Sequence, residues 1–201
     1  MEPVTLTTER LLLRPFAPAD TDETFAACQD PDIQRWTTVP SPYAPEDAAV
    51  FVQRIAPGAW QDGTEYAFAV RLRTEDGEGP LVGAASLHHP QDDHWEIGYW
   101  TAAEHRGRGY TAESVLALAR WSFRELGCTR LEWRAEVGNT GSRAVAERVG
   151  FTVEGTLRAA LVNKGVARDC WVGSLLPHDL GLPSRHVYLP ARSASDVTPA
   201  A

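Results

Sequence analysis

Glu96-Ile-Gly-Tyr-Trp-Thr-Ala-Ala-Glu-His-Arg-Gly-Arg-Gly-Tyr-Thr-Ala-Glu113 is the stretch from which the rest of the chain can be read. Residues 95–100 have strand composition, a loop holding Arg106-Gly-Arg-Gly109 follows, and a helix starts at once. Glycines let the backbone turn tightly, so consecutive N–H groups converge on an anion, and the helix N-terminus adds partial positive charge. Two arginines supply charge-assisted contacts to phosphate. The physical expectation is a cradle for a pyrophosphate. Two other readings compete. Gly107-x-Gly109-x-x-Ala112 has the spacing of a dinucleotide fingerprint, with Glu132 near the next strand. A surface turn that only caps a helix is the other. The dinucleotide reading suffers because Thr101 to His105 separate the strand from the glycines. A Walker A loop is excluded, since Gly-Lys-Ser/Thr does not occur.

Working outward, residues 111–126 have helical period, with Val115, Ala119, Phe123 and Leu126 on one face and Gly127 as the stop. Thr129 to Val137 alternates as a half-buried strand. A short helix fits Gly141 to Val149. Two further strands, from Phe151 and over Ala167 to Leu176, join through Asn163-Lys-Gly165. Upstream, Tyr66 to Leu72, Leu81 to His88 and Trp95 to Trp100 are strands joined by a turn-rich loop over 74–80 and a turn over 89–93. That is an antiparallel meander. Arg10 to Phe16 is a strand closed by Pro15. A helix capped by Asp20 or Thr21 runs to about Gln29, where Asp30-Pro31 breaks it. Residues 36–45 form a loop stiffened by three prolines. A helix opening at Pro45-Glu46-Asp47 ends before Pro57-Gly58. The order predicts one mixed α/β domain over residues 1–176 with about four helices. Residues 177–201 are an extension whose end, ARSASDVTPAA (191–201), reads as disordered.

The chain has 201 residues, 43% of them hydrophobic, enough for a core without staples. Its 27 acids and 19 bases give a formal charge of −8. That argues against nucleic acid or an anionic membrane as partner and suits a cationic amine. Cys28, Cys128 and Cys170 are odd in number and widely spaced, so they read as buried hydrophobes in a reducing compartment. The N-terminus lacks the pattern of a signal peptide and no apolar run reaches membrane length, so a cytoplasmic protein is expected.

Arg106-x-x-Gly109-x-Thr111 resembles the Gln/Arg-x-x-Gly-x-Gly/Ala acetyl-CoA loop of the GNAT superfamily of N-acetyltransferases. Asn139-Thr-Gly-Ser142 followed by Glu147-Arg-Val-Gly-Phe151 resembles its RimJ/RimL-like branch. So do Glu9-Arg-Leu-Leu-Leu-Arg-Pro-Phe16 and Glu96-Ile-Gly-Tyr-Trp100. The resemblance covers about residues 8–176. It departs at Thr111, where Gly or Ala is usual, and in a tyrosine missing from the helix after Asn139, where Ala146 and Val149 stand.

The resemblance implies a GNAT-like, mostly antiparallel sheet whose two neighbouring parallel strands splay apart around the pantetheine arm. Acetyl-CoA would be the co-substrate, with no metal. Trp100 and Thr101 would pair with the arm. Arg106, Gly107, Arg108, Gly109, Tyr110 and Thr111 would hold the pyrophosphate, and Asn139, otherwise a helix cap, would reach the pantetheine. Glu96 is the candidate base, or else a solvated strand residue. Ser142 is the candidate donor to the leaving thiolate, or else a first-turn serine bonded to backbone. Tyr99 and Tyr188 rank behind it. Trp36 and Tyr43 would line the acceptor site, or simply pack. His88, His89 and His94 read as surface residues without zinc, since adjacent histidines point to opposite faces of a strand. Arg158 and Arg168 either form surface salt bridges or meet an acidic acceptor. The implied activity is direct attack of a primary amine, a protein N-terminal α-amine or a small-molecule amine, on acetyl-CoA. A second copy of the chain is a further expected partner. The competing reading is a non-catalytic acyl-CoA-binding or sensing domain.

Overall fold

The computed structural model describes residues 2–75, 77–91 and 93–191, with backbone alone at 89–91. The elements are β1 (Leu6–Thr7), β2 (Leu11–Pro15), α1 (Thr21–Ala27), α2 (Pro31–Trp36), α3 (Pro45–Val50), α4 (Ala56–Asp62), β3 (Glu65–Thr74), β4 (Gly77–Gln91), β5 (His94–Thr101), α5 (Tyr110–Glu125), β6 (Arg130–Glu136), α6 (Thr140–Val149), β7 (Thr152–Asn163) and β8 (Val166–Leu175). All eight strands form one sheet in the order β1-β2-β3-β4-β5-β6-β8-β7. Every neighbouring pair is antiparallel except β5 and β6, which are parallel.

Period-2 burial explains the layers. Tyr66, Phe68 and Val70 of β3 join Leu87, Trp95, Ile97, Leu131 and Trp133 in the main core, closed by Val115, Leu118 and Ala119 of α5. Ala67 and Ala69, one residue out of step, point the other way and pack with Phe16, Val52, Ala56 and Ala84. A third cluster joins Cys28, Ile33, Tyr43 and Ala48. All three cysteines are buried and outside any disulfide. Leu180 and Leu182 also lie against the main core. None of the described helices is long and apolar enough to cross a membrane.

Three local expectations are corrected. Asp30-Pro31 ends one helix and starts another. The Asp30 carboxylate accepts from the amides of Asp32 and Ile33, and Pro31 fills the first turn of α2, where its missing N–H costs nothing. The helix from Pro45 does not stop before Pro57. A π-helical turn over Phe51–Ile55, with the Ala56 amide donating to the Phe51 carbonyl, shifts the register so that Pro57 enters the first turn of α4. With α2 added and α3 running through the π turn into α4, the described residues hold five helices of this kind where about four are expected. Most of the loop expected over 74–80 is strand, with Thr74 paired to Gly77 across a tight hairpin. The turn Asn163-Lys-Gly165 is as expected, with positive φ at Lys164 and Gly165. The tail from 192 onward and the His89 side chain lie outside the described residues.

Candidate active site

The parallel strands part company halfway along. The pairing of β5 with β6 ends at Ile97↔Trp133. Beyond it β5 stays on β4 as far as Thr101↔Gly83, and β6 stays on β8 as far as Glu136↔Cys170. A side chain at Gly83 would strike the Trp100 carbonyl. Glycine there lets the end of β5 crowd onto β4 and away from β6. Each wall of the resulting wedge keeps one edge without a strand partner, the kind of edge to which an extended amide-bearing chain adds.

The turn at the mouth of the wedge leads directly into α5. Gly107 and Gly109 have φ of +74° and +80°, and Gly109 is the N-cap. A glycine cap brings no side-chain oxygen, so the first amides of this 16-residue helix get no side-chain acceptor from it. An ideal Cβ at Gly109 would lie 3.6 Å from Arg10 Nη2 and 3.9 Å from Arg148 Nη2. Two guanidinium groups therefore close on the same small volume. Arg10 is fixed there by Glu113, which accepts from Arg10 Nε at 2.7 Å, and by the Tyr110 ring, 4.7 Å from its guanidinium carbon. Thr111 Oγ1 lies 2.5 Å from Thr101 Oγ1 and ties the first turn of α5 to the end of β5. Arg108 is exposed and its carbonyl accepts from Arg10. Arg106 is bound elsewhere, donating to Asp30 at 2.7 Å and lying 3.4 Å from Asp32 at the start of α2.

Glu96 is half-buried on β5, opposite His88 of β4 and Glu132 of β6. Burial pushes its pKa above the usual carboxylate range and Glu132 adds to this, against the pull of His88 and Arg134. Ser142 stands at the apex of the wedge. Its Oγ accepts from Trp133 Nε1 at 3.0 Å and donates to Tyr99 Oη at 3.1 Å, while Tyr99 Oη donates to the Ser142 carbonyl at 2.9 Å. Burial pushes the Tyr99 phenol up to about 12. Asn139 caps α6, its Oδ1 accepting from the Ser142 amide. Glu96 and Tyr99 are three residues apart on one strand, so the carboxylate lies on the α1–α3 face and the hydroxyl pair on the α5–α6 face.

Of the acceptor-side candidates, Trp36 is brought to the wedge. It lies 3.7 Å from an ideal Cβ at Gly138, just past β6, and the Arg35 guanidinium stacks on it at 4.2 Å. Tyr43 is not brought there. It is buried in the third cluster and stacks on Phe25. Trp100 packs between the two smaller clusters. His88 lies between Ser86 and Glu65, and His94 beside Asp93. Among the described residues no group of three His, Cys, Asp or Glu could hold a metal. Arg148, Trp133 and the Asp30–Asp32 pair had no sequence signal pointing to the wedge. Each is brought in by contacts many residues distant in sequence.

A parallel pair of strands splayed beside a helix-capping glycine turn is the arrangement that the GNAT resemblance implies. Comparison with known proteins agrees. The chain matches the family described as acetyltransferase (GNAT) domain over residues 10–152. It is 39% identical over 104 residues to YdaF of Bacillus subtilis, whose ribosomal N-acetyltransferase designation is provisional. That match spans 51% of this chain and 57% of the relative. A Vibrio cholerae structure, provisionally a ribosomal-protein-serine acetyltransferase, superposes with a TM-score of 0.76 at 25% identity, covering 87% of this chain and 98% of that one. Mycobacterium smegmatis RimJ, solved with CoA-disulfide, has the same fold with a TM-score of 0.77 at 22% identity, covering 90% and 92%. The chain belongs to the GNAT family of acetyltransferases.

Proposed function

We propose that this protein transfers an acetyl group from acetyl-CoA to the primary amine of a protein N-terminus, by direct attack of the amine on the thioester. The observation that carries the reading is the alignment of the wedge with its cradle. The β5–β6 pairing stops at Ile97↔Trp133, and the αL glycines and the two guanidinium groups stand at the open end. In this reading the amides of Gly107 to Thr111, with Arg10 and Arg148, hold the pyrophosphate. The free edge of β5 through Trp100 and Thr101 pairs with the pantetheine amides, and Asn139 flanks that arm. Bound acetyl-CoA supplies the activated acyl carbon. The protein supplies position, which alone accounts for a large part of the rate in two-substrate reactions.

The new C–N bond forms as the C–S bond breaks. Glu96 takes the proton that the ammonium must lose, on the α1–α3 face. The sulfur leaves toward the α5–α6 face. There the Tyr99 O–H, held on the Ser142 carbonyl, rotates to hydrogen-bond the thiolate, which takes up the second proton that the nitrogen sheds as the amide forms, so that Tyr99 keeps its own; Ser142 holds Tyr99 in place. Burial suits Glu96 to the role, because a base must bind the proton more tightly than an ordinary carboxylate does. The ribosomal-protein designations of the relatives support a protein N-terminus as acceptor.

Acetyl-CoA-dependent release of free thiol, measured over a panel of N-terminal peptides and small amines, tests this. Turnover with an N-terminal peptide supports the reading. Tight acetyl-CoA binding without turnover on any amine points instead to a binding or sensing domain.

A further inference from the structure

The strap formed by α2 crosses the open end of the wedge. At its start Asp30 and Asp32 meet Arg106 beyond β5. At its end Arg35 meets Glu136 of β6 at 2.6 Å. The β7–β8 hairpin reaches the same helix, with Asn163 Nδ2 donating to the Arg35 carbonyl at 3.2 Å and Lys164 Nζ donating to the Gln34 carbonyl. Between α2 and this hairpin lies a cavity of about 300 Å³.

Its charged lining has one sign. Arg35, Lys164 and Arg168 line it, with Ser41, Gln34 and Asn163 as neutral polar neighbours and no carboxylate among the lining residues. The chain carries eight more acids than bases, and Lys164 is its one lysine. Glu136, below the cavity, answers Arg35 at 2.6 Å and lies 3.8 Å from Arg168. One carboxylate thus answers two of the three cations, and Lys164 Nζ, among the described residues, meets only the Gln34 and Thr37 carbonyls. Asp30 and Asp32, at the other end of the strap, are engaged by Arg106. Exposed arginines in an acidic protein gain from an anionic ligand, because planar guanidinium groups bind a carboxylate with directed hydrogen bonds.

The cavity lies on the reacting side of the sheet. Glu96, Arg134 and Glu136 alternate onto the α1–α3 face, where α2 lies. Glu136 is three residues past Trp133, so it stands about 10 Å along β6 from the point where the strands part. An extended peptide covers that distance in about three residues.

We infer that this cavity selects acceptors with a carboxylate about three residues from the reacting amine, that is, protein N-termini with an acidic side chain early in the chain. The inference rests on the acetyltransferase reading and names its substrate class. Arg168 and Lys164 bind that carboxylate, and Arg35 shares itself between it and Glu136.

The test uses paired pentapeptides identical except for Asp or Asn at position 2, 3 or 4. With the full-length protein saturated in acetyl-CoA, both kcat/KM by thiol release and peptide binding by calorimetry are measured. The expected result is an Asp-over-Asn preference on the order of tenfold at position 3 or 4, which the double substitution K164Q/R168Q reduces to near one while acetyl-CoA affinity stays unchanged. Equal turnover of Asp and Asn peptides overturns the inference and leaves the acetyltransferase reading standing. If no peptide turns over, preferential binding of the Asp peptides still supports it, and equal or absent binding overturns it. A variant that loses acetyl-CoA binding is replaced by R168Q alone, for which the same loss of preference is required.

Discussion

Tyr99 and Ser142 exchange hydrogen bonds across the apex of the wedge, the serine hydroxyl donating to the phenol at 3.1 Å and the phenol donating to the serine carbonyl at 2.9 Å. Tyr99 belongs to β5, Trp133 to β6, and Ser142 to the helix after β6. The three therefore join both walls where the sheet opens. Tyr99→Phe should lower kcat by roughly tenfold to a hundredfold with little change in acetyl-CoA affinity, if the phenol meets the leaving sulfur. Ser142→Ala strips the buried Trp133 indole N–H of its partner and should cost about 1–3 kcal/mol of stability. Steady-state kinetics and thermal melts of both variants separate the two effects. An unchanged kcat for Tyr99→Phe removes the phenol from the reaction.

Glu96 gives a pH prediction with a definite sign. Its folded-state pKa is raised, so the ionised carboxylate is less favourable in the fold than in the unfolded chain. The penalty is absent below the ordinary carboxylate range and grows as pH rises through the ordinary and then the raised pKa. Glu96→Gln should therefore equal the parent in stability in acid and exceed it at neutral pH. The same substitution should remove the ascending acid limb of kcat/KM and lower the plateau by about 10²-fold. Equal turnover at every pH would exclude Glu96 as the base.

Asp20 tests how the N-terminal helices are held on the sheet. Its carboxylate is fully buried, receives Arg14 of β2 and Arg71 of β3, each at 2.7 Å, and accepts the Ala17 amide. Burial alone raises its pKa, and the hydrogen bonds from Arg14 and Ala17 and the charges of both arginines outweigh it, so the net shift is downward. Stability from this group is present above the ordinary aspartate pKa and fades as pH falls through the lowered one. Asp20→Asn leaves two guanidinium groups facing a neutral amide and should cost about 3–5 kcal/mol, read from urea unfolding. A loss near zero contradicts the anchor.

Arg106 is engaged by Asp30, whose carboxylate burial pushes up and the arginine, with two backbone amides, pulls below its usual range. Both ends of that contact are needed to hold the α2 strap over the wedge. Arg106→Ala should raise hydrogen exchange in α2 while leaving α5 protected. No change in α2 exchange would show that Arg35–Glu136 holds the strap alone.

Much of this layout was legible from short-range patterns. Alternation over residues 129–137 puts Leu131 and Trp133 on one side of β6, the 3.6-residue period puts Val115 and Ala119 on one face of α5, and all four lie in the main core. The Arg-Gly-Arg-Gly turn is a local signal, since positive φ at 107 and 109 needs nothing from elsewhere in the chain. Two helix boundaries are hidden in the sequence because proline has two uses. Pro31 opens a helix and Pro57 follows a π-helical turn in one that continues, and only tertiary packing distinguishes either from a helix that ends. The site was legible as a list of residues but not as pairs. Arg106 looks like a phosphate ligand in sequence, yet it is bound to carboxylates 74 and 76 positions away. Tyr43 has the type of a pocket residue and is buried by α1 and α3. Arg148 approaches Gly109 only because α6 packs beside α5.

The proposed transfer requires CoA to bind at the glycine turn. Calorimetric titration of CoA into the parent chain, Gly109→Asn and Gly109→Asp isolates charge from shape, since Asn and Asp tolerate the left-handed backbone to a similar degree. An aspartate carboxylate at 109 would sit between Arg10 and Arg148 and occupy the place assigned to phosphate. The expected order is strong binding by the parent, weaker binding by Gly109→Asn, and a further loss of about 100-fold, or ~2.8 kcal/mol, for Gly109→Asp. Equal CoA affinity for the parent and Gly109→Asp would contradict the cradle and the transferase mechanism built on it.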